Sequence, residues 1–342
     1  MAAGFVAGPY HLSVIAETGD RFADFAPYVA AIDDGGVVVF SAALTTGGSG
    51  VFRGDGTQVA TVADSTPGTF QQVSSHPDID GTGSVCFYAE DAVGGAALHW
   101  CRDGEIVRLS EVAGPLGPTM NSEGTIGFRG PLPVGGDGIF TWSAGVVMTV
   151  ADTNSRFSSF HGLPVVDGRG CVVFRADRLD GSSGIWLRAG DRVQVIAEEG
   201  HRFSGFGHFP FTNSVGTLAF CAELLGGGAA IFVGSAGETT SLIGTDAGFE
   251  SFRGALLNGV GELVFYATPA GGELGIYTGS DPEHDRLLAI GDQLLDSTVT
   301  GFALNPVSIN DAGQLAIRIA LESGRQLIVR ADRDNAGDNV PY

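Results

Sequence analysis

Residues 165–176 read VVDGRGCVVFRA and hold the pattern that decides the fold. Two apolar residues lead into Asp167, a turn follows through Gly170, and an alternating run continues through Val172 and Phe174. Apolar runs on both sides of an Asp/Gly turn are typical of two short β-strands joined by a hairpin. The stretch therefore predicts a hairpin, and the recurrence of the same pattern along the chain extends this prediction to the whole fold.

The same frame occurs seven times along the chain. It consists of Asn or Asp, a Gly three positions later, and a short apolar run that ends on Phe or Ile. Its glycines are Gly36, Gly83, Gly124, Gly170, Gly216, Gly261 and Gly313, spaced 47, 41, 46, 46, 45 and 52 residues apart. A period of about 40 to 50 residues made of short strands is typical of the blades of a β-propeller.

Each repeat carries three further strand patterns. A Gly-apolar-aromatic run follows the turn strand (GIW at Gly184), then an apolar run that ends near an acid (VQVIAE from Val193), then a Phe-x-x-Phe segment (Phe203 and Phe206) before the next turn. We name the four strands A to D, with A running from Phe-x-x-Phe to the turn. The predicted blades cover residues 20–64, 69–111, 115–152, 156–198, 202–244, 248–291 and 299–330.

The two ends of the chain complement each other. The N-terminal HLSVIAETGDRFADF copies the strand-D pattern of VQVIAEEGHRFSGF but has no strands A to C before it, and the seventh repeat has no strand D. Residues 10–17 should therefore complete the last blade and leave no open sheet edge. The fold class is all-β: a single seven-bladed β-propeller of four-stranded antiparallel blades over residues 1–331, followed by an acidic tail at 332–342.

The repeat resembles that of TolB-like propellers, and it is most similar to bacterial tandem-repeat proteins with the consensus NxxGxVAF. The resemblance covers nearly the whole chain through the Asn/Asp-x-x-Gly turn, the Phe-ending strand and the aromatic third strand. It implies the fold. It implies almost nothing about function, because propellers serve as enzymes, lectins and scaffolds alike.

Composition excludes several functions. The formal charge is −21, from 39 acids against 18 arginines, and lysine is absent. Such a surface repels nucleic-acid phosphates, and no Schiff-base or P-loop lysine is possible. No apolar run is long enough to span a membrane, and no signal-peptide pattern opens the sequence. We expect a cytoplasmic monomer that binds neither nucleic acid nor membranes; a leader removed beforehand would make it a secreted protein instead.

Three loops that connect strand D to strand A end in Arg-Phe. Their arginines are Arg21, Arg156 and Arg202, and His201 lies beside the last of them. One interpretation is a ring of guanidinium groups that binds an anionic substrate at the mouth of the central channel. The other is that each arginine pairs with a nearby acid such as Asp152 or Glu198, which is the commoner role of a single arginine.

Candidate catalytic residues lie near the same mouth. The B–C loops supply the acids Asp177 and Glu223, and two A strands supply His161 and His208 at different offsets from their turns. An acid or an imidazole that faces arginines could transfer a proton. The alternative is that the acids are solvated loop residues and the histidines are satisfied inside their strands.

The sequence predicts no cofactor and no metal site. It contains no H-E-x-x-H motif, no paired cysteines and no His triad of zinc spacing, and the four cysteines fall inside strands. The tail from Ala331 reads ADRDNAGDN, which resembles a calcium loop only vaguely because the D-x-D-x-D-G order is broken. A disordered acidic tail is the favoured interpretation.

Two classes of function remain. The first is a cofactor-independent enzyme of cyclase, isomerase or lyase type, with one asymmetric pocket for an anionic or polarisable small molecule. The second is a non-catalytic propeller that binds a glycan or a protein. The loop residues differ from blade to blade, which favours one asymmetric site over seven equivalent sugar sites. We favour the enzyme.

Overall fold

Seven antiparallel sheets arranged as blades build the protein, as the repeat predicts. The computed structural model describes residues 4–7, 10–65, 70–91, 95–112, 116–235 and 237–333. Every blade has the strand order A-B-C-D, with strand A innermost; strand A is split into two segments in blades one, two and five, and blade seven carries the added strands β1 and β30. The seven-bladed, all-β fold class is confirmed.

The first half of the chain forms the N-terminal strands and blades one to three. The closing strands are β1 (Gly4–Ala7) and β2 (Tyr10–Glu17). Blade one holds β3 (Phe22–Asp24), β4 (Ala31–Ile32), β5 (Val38–Leu44), β6 (Ser49–Gly54) and β7 (Val59–Asp64). Blade two holds β8 (Phe70–Val73), β9 (Asp78–Ile79), β10 (Val85–Asp91), β11 (Ala96–Arg102) and β12 (Glu105–Glu111). Blade three holds β13 (Thr119–Met120), β14 (Ile126–Pro131), β15 (Asp137–Ser143) and β16 (Val146–Asp152).

The second half forms blades four to seven. Blade four holds β17 (Phe157–Val166), β18 (Val172–Arg178), β19 (Ser183–Ala189) and β20 (Arg192–Glu198). Blade five holds β21 (Phe203–Phe206), β22 (Phe211–Thr212), β23 (Leu218–Leu224), β24 (Ala229–Ser235) and β25 (Glu238–Gly244). Blade six holds β26 (Phe249–Leu257), β27 (Leu263–Pro269), β28 (Gly275–Tyr277) and β29 (Arg286–Ala289). Blade seven holds β30 (Gln293–Leu294), β31 (Ser297–Ala303), β32 (Leu315–Leu321) and β33 (Gln326–Arg333), and short 3₁₀ turns lie at Thr245–Ala247 and Pro306–Ser308.

The repeated Asn/Asp-x-x-Gly frame is the turn between strands A and B. In all seven blades the side-chain Oδ1 of the Asn or Asp accepts the backbone N–H four positions later, at 2.7 to 2.9 Å. The Gly three positions along has a φ of 75° to 86° in every copy, a backbone conformation that other residues rarely adopt. The frame therefore recurs because the turn needs a short side-chain acceptor and a glycine at these two positions.

Asparagine at the turn also joins neighbouring blades. Asparagine has an amide donor that aspartate lacks, and in three blades it reaches the turn carbonyl of the next blade. The bonds run from Asn121 Nδ2 to the Asp167 carbonyl (2.8 Å), from Asn213 Nδ2 to the Asn258 carbonyl (2.9 Å) and from Asn310 Nδ2 to the Asp33 carbonyl (2.8 Å). The last of these helps to join blade seven to blade one.

A second set of bonds between blades starts in strand B, at the residue eight positions after the turn Asn or Asp. We call this position the clasp position. At four junctions its side chain donates to a strand-A carbonyl of the next blade: Ser41 Oγ to Ser75 (2.9 Å), Arg175 Nη1 to Phe206 (2.9 Å) and Gly207 (2.8 Å), Tyr266 Oη to Leu304 (2.8 Å), and Arg318 Nε to Tyr28 (2.8 Å). These bonds join each of these blades to the next and satisfy strand-A carbonyls at the junctions.

Phenylalanine clusters fill the blades. Phe203 and Phe206 of the Phe-x-x-Phe segment contact the strand-B and strand-C rings Phe220 and Phe232 of the same blade, with centroid separations of 5.1 to 6.1 Å. Equivalent clusters occur around Phe22, Phe157 and Phe249. Edge-to-face contacts dominate, which is the favourable geometry for aromatic rings.

The N-terminal strand closes the ring. β2 pairs antiparallel with β33, from Tyr10 opposite Arg333 to Glu17 opposite Leu327, and β1 adds one more strand outside β2. The predicted closure by residues 10–17 is confirmed. Asp332, predicted as the start of the tail, instead continues β33 and forms an ion pair with Arg330. Residues 334–342, which hold most of the sequence that resembles a calcium loop, lie outside the described residues.

Among the described ranges, no helix is long and apolar enough to cross a membrane. The four cysteines are free thiols, and Cys86, Cys101 and Cys221 are buried. They pack as small apolar residues inside the blades.

Candidate functional site

A buried polar contact joins two blades that are not neighbours in the ring. His76 of blade two is buried, and its Nε2 lies 3.2 Å from the Pro118 carbonyl and 3.5 Å from Nδ2 of Asn305. Asn305 belongs to blade seven, so this contact passes along the inner side of blade one, which lies between the two. Burial lowers the pKa of His76 to about 4, which keeps the imidazole neutral.

A cavity of about 140 Å³ lies in the channel at the end formed by the A–B turns. Its lining comes from all seven blades and includes Asp33, Asp80, Asn213 and Asp311. Burial raises the pKa of Asp33, and nearby Asp34 and Asp80 raise it further. This end is opposite the D–A and B–C face, where the sequence predicts the pocket.

On the D–A and B–C face, blade four brings two predicted catalytic residues together. His161 Nε2 lies 2.7 Å from Asp177 Oδ2, and Ser159 Oγ donates to the same carboxylate oxygen at 2.8 Å. The pairing follows from the sheet, because Ser159 is the register partner of Asp177 and His161 lies two residues further along strand A. The side chains of His161 and Asp177 are 37% and 28% exposed, so solvent and small molecules can reach both.

The charge of Asp177 is stabilised by its partners. Burial alone would raise its pKa, but hydrogen bonds from His161, Ser159 and Ser183 outweigh that effect and lower it below the ordinary value. Asp177 is therefore an anion at neutral pH and orients His161 through Nε2. An imidazole whose Nε2–H is held by a carboxylate presents its Nδ1 lone pair as a base.

Arg175 connects blade four to the other two predicted catalytic residues. It is the register partner of His161, and it occupies the clasp position that donates to blade five. It also borders a cavity of about 180 Å³, which His208, Glu223 and Arg253 line as well. Phe206, Phe252 and the buried Cys221 complete the wall, and burial raises the pKa of that thiol to about 12.

Arg253 is the second arginine of this cavity. Its side chain is exposed, and within the described residues it has neither an ion pair nor a hydrogen bond. The exposed arginines Arg53 and Arg192 are likewise without an ion pair or a hydrogen bond among the described residues, but neither lines this cavity. Arg175 and Arg253 were not among the predicted site residues, although the clasp position of Arg175 is visible in the sequence as a polar residue at a fixed place in an apolar strand.

The three loop arginines share a contact that neither sequence interpretation foresaw. Each guanidinium lies over a strand-C aromatic ring of its own blade: Arg21 over Phe52 (4.5 Å), Arg156 over Trp186 (4.6 Å) and Arg202 over Phe232 (4.5 Å). Glu198, the suggested partner of Arg202, pairs with Arg178 at 2.6 Å. A cation–π contact accounts for the repetition of Arg-Phe by packing. The binding role of these arginines and of the exposed His201 stays a prediction.

No metal site is formed by the residues in view: within the described ranges, no three His, Cys, Asp or Glu side chains lie close enough to hold an ion. The face of blades three to six instead offers an imidazole, a carboxylate, hydroxyls and guanidinium groups. This set can transfer protons and bind an anion.

The fold and this face together define the class: a seven-bladed β-propeller whose D–A and B–C face carries a partly exposed His–Asp pair. No protein-family model matches the sequence, and no curated protein matches it.

Solved structures do match. Oligogalacturonate lyase from Vibrio parahaemolyticus is similar with a TM-score of 0.60 at 13% identity, covering 96% of each chain. An oligogalacturonate lyase in complex with manganese gives 0.58 at 12% identity, covering 97% of this chain and 96% of that one. TolB from Acinetobacter baumannii gives 0.42 at 15% identity, with 70% of this chain matched to 58% of TolB. At these identities the likeness to the two lyase structures shows a shared fold.

Proposed function

We propose that this protein is an enzyme of lyase or isomerase type that moves a proton on an anionic small molecule. The site is the D–A and B–C face of blades three to six. The observation that carries the proposal is the 2.7 Å contact between His161 and Asp177 on side chains that remain partly exposed.

The chemistry follows from the residues. His161 Nδ1 takes a proton from a carbon next to a carboxylate, and the electron pair of that C–H bond is delocalised onto the carboxylate. In an elimination the pair then forms a C=C bond as the leaving group departs; in an isomerisation a neighbouring carbon takes the proton back. Arg253 and Arg175 supply positive charge near the developing enolate, and His208 and Glu223 are placed in their cavity to return a proton.

Two further points support the proposal. None of these steps requires an oxidant, a reductant or a lysine. The structural relatives include oligogalacturonate lyases, which share the fold over nearly the whole chain, and an oligogalacturonate is a substrate with a carboxylate on every sugar.

The test is turnover of anionic sugars. Oligogalacturonates and other uronic-acid oligosaccharides are incubated with the protein, and elimination is followed by the ultraviolet absorbance of the new C=C bond. His161→Gln and Asp177→Asn should lower kcat by about 100-fold or more, the usual contribution of general acid–base catalysis. The matched control is His284→Gln. It removes another exposed His–Asp pair, between His284 and Asp281, in the loop that joins β28 to β29 of blade six.

Two results would contradict the proposal. One is a folded wild-type protein that converts none of these substrates, and the other is an unchanged kcat in His161→Gln. One observation supports the alternative of a non-catalytic propeller that binds a glycan or a protein: the 140 Å³ channel cavity at the opposite end of the ring. Binding that survives His161→Gln but is blocked by Ser122→Trp, at the lining of that cavity, would support it.

A further inference from the structure

The junction between blades three and four lacks the donating clasp that joins four other pairs of blades. At its clasp position lies Arg129, a side chain long enough to reach the next blade, as Arg175 and Arg318 do. Arg129 instead donates from Nη2 to Asp137 of its own blade at 2.9 Å. Its Nε is buried and has no hydrogen-bond partner among the described residues.

A groove of about 390 Å³ opens where this clasp is missing. Arg129, Asp137 and Thr153 line it from blade three, and Ser158, Ser159 and Phe160 line it from blade four. At the other long-clasp junctions the corresponding strand-A carbonyls are occupied by the clasp side chain. Here the guanidinium faces a space bordered by three hydroxyl groups.

The groove adjoins the proposed catalytic pair. Ser159 belongs to both, because it lines the groove and donates to Asp177. A small molecule that fills the groove would therefore extend toward His161, which lies 3.4 Å from the same hydroxyl.

The chemistry of the lining defines the ligand. Arg129 Nη1 has no hydrogen-bond partner among the described residues and, unlike Nε, is not buried, and a carboxylate is the group whose geometry fits a guanidinium best. The hydroxyls of Ser158, Ser159 and Thr153 and the partly exposed carboxylate of Asp137 suit a ligand with several hydroxyl groups. We infer that the groove between blades three and four binds the carboxylate end of a small polyhydroxylated acid, with Arg129 as its anchor.

This inference rests on the proposed function only for the chemistry at His161, and the binding site is tested without turnover. The probe is gluconate, compared with sorbitol, which has the same chain without the carboxylate. Because the protein contains no lysine and 18 arginines, its arginine Nε–H resonances form a small spectrum, in which Arg129→Lys assigns the Arg129 signal.

Gluconate should shift the Arg129 signal saturably, and sorbitol at the same concentration should not. Arg129→Gln should weaken gluconate binding by roughly tenfold or more, in line with loss of a charge-assisted hydrogen bond. Asp137→Asn should strengthen it about two- to fivefold, because it removes a competing carboxylate. Arg53→Gln, an exposed arginine of blade one without an ion pair in the described part of the chain, is the control and should change nothing.

The assignment is overturned if gluconate leaves the Arg129 signal in place, or if folded Arg129→Gln and Arg129→Lys both keep wild-type affinity. Asp137→Asn keeps the test informative if the Arg129 variants fail to fold, since unchanged or weaker binding there also contradicts it. If His161→Gln abolishes turnover but gluconate binding does not depend on Arg129, only the binding site in the groove is contradicted. If gluconate binding depends on Arg129 but no substrate is turned over, only the proposed function is contradicted.

Discussion

At the scale of single residues, the repeated positions serve the blade and the unrepeated ones form the proposed site. The Arg-Phe loops occur three times, and in each the guanidinium lies over an aromatic ring. Among the described residues, blade four pairs a strand-A histidine, His161, with Asp177, whereas the other His–Asp contacts lie at different places in blades two and six. Departures from a repeat are therefore the better guide to a site.

The cation–π contacts should contribute to stability. Arg156→Ala removes the guanidinium from Trp186 and should lower the free energy of unfolding by about 0.5–1 kcal/mol, the range for exposed cation–π pairs. Denaturant titration measures this. Arg192→Ala, an exposed arginine of the same blade, is the matched control and should have no effect, and an equal loss in both would mean that the ring contact adds nothing.

Buried His76 should make stability depend on pH. Its pKa is about 4 in the folded protein and near 6.5 when unfolded, so between those values the unfolded state binds the extra proton. Stability should fall as the pH falls from about 6.5 to 4, by on the order of 3 kcal/mol for this group. The difference in unfolding free energy between wild type and His76→Gln, followed across that window, isolates it. A difference that stays constant with pH would show that His76 is not held neutral.

At the scale of elements, the turn between strands A and B is the unit that the sequence specifies most completely. Its Asn or Asp accepts the backbone N–H four positions later and its Gly adopts a positive φ, so the frame could be recognised without a structure. The incomplete seventh repeat predicted the N-terminal closure equally well. Side-chain directions could not be predicted, because whether Arg129 reaches blade four or folds back to Asp137 depends on packing between two blades. For the same reason the cavities on each face could not be located.

The closing strand should be essential to the last blade. Deleting residues 1–18 removes β1 and β2 and leaves the edge of β33 unpaired, so we expect aggregation and a thermal midpoint lower by at least about 5 °C. Differential scanning fluorimetry and size-exclusion chromatography would measure both effects. Deletion of residues 1–9, which spares β2, should be close to wild type. Wild-type melting of the longer truncation would refute the role of β2.

At the scale of the whole molecule, the two ends of the ring differ in the charged groups that they carry. The A–B turns surround an acidic cavity, whereas the opposite face carries the imidazole and guanidinium groups. The overall charge of −21 opposes the approach of an anion, so anion binding at the proposed site would depend on the nearby arginines of blades three to six.

The same charge should make the fold sensitive to salt. Self-repulsion destabilises a compact, strongly charged chain, and screening reduces it. Raising NaCl from about 20 to about 300 mM should raise the thermal midpoint by about 1–3 °C. LiCl should have the same effect if screening is the cause, since both salts are monovalent. A midpoint that does not change in either salt would mean that repulsion among the acids does not limit stability.

The pairing of β2 with β33 also determines the order in which parts of the molecule can assemble during synthesis. Glu17 and Arg325, which form an ion pair beside this junction, are 308 positions apart in the chain. A ribosome makes β2 before β33, so β2 has to wait while the six blades between the two strands are synthesised. Blades one to six can assemble in order during that interval, because each needs only residues already made. The ring itself can close only after β33 has been made, and until then β2 is an unpaired strand exposed to pairing with another chain.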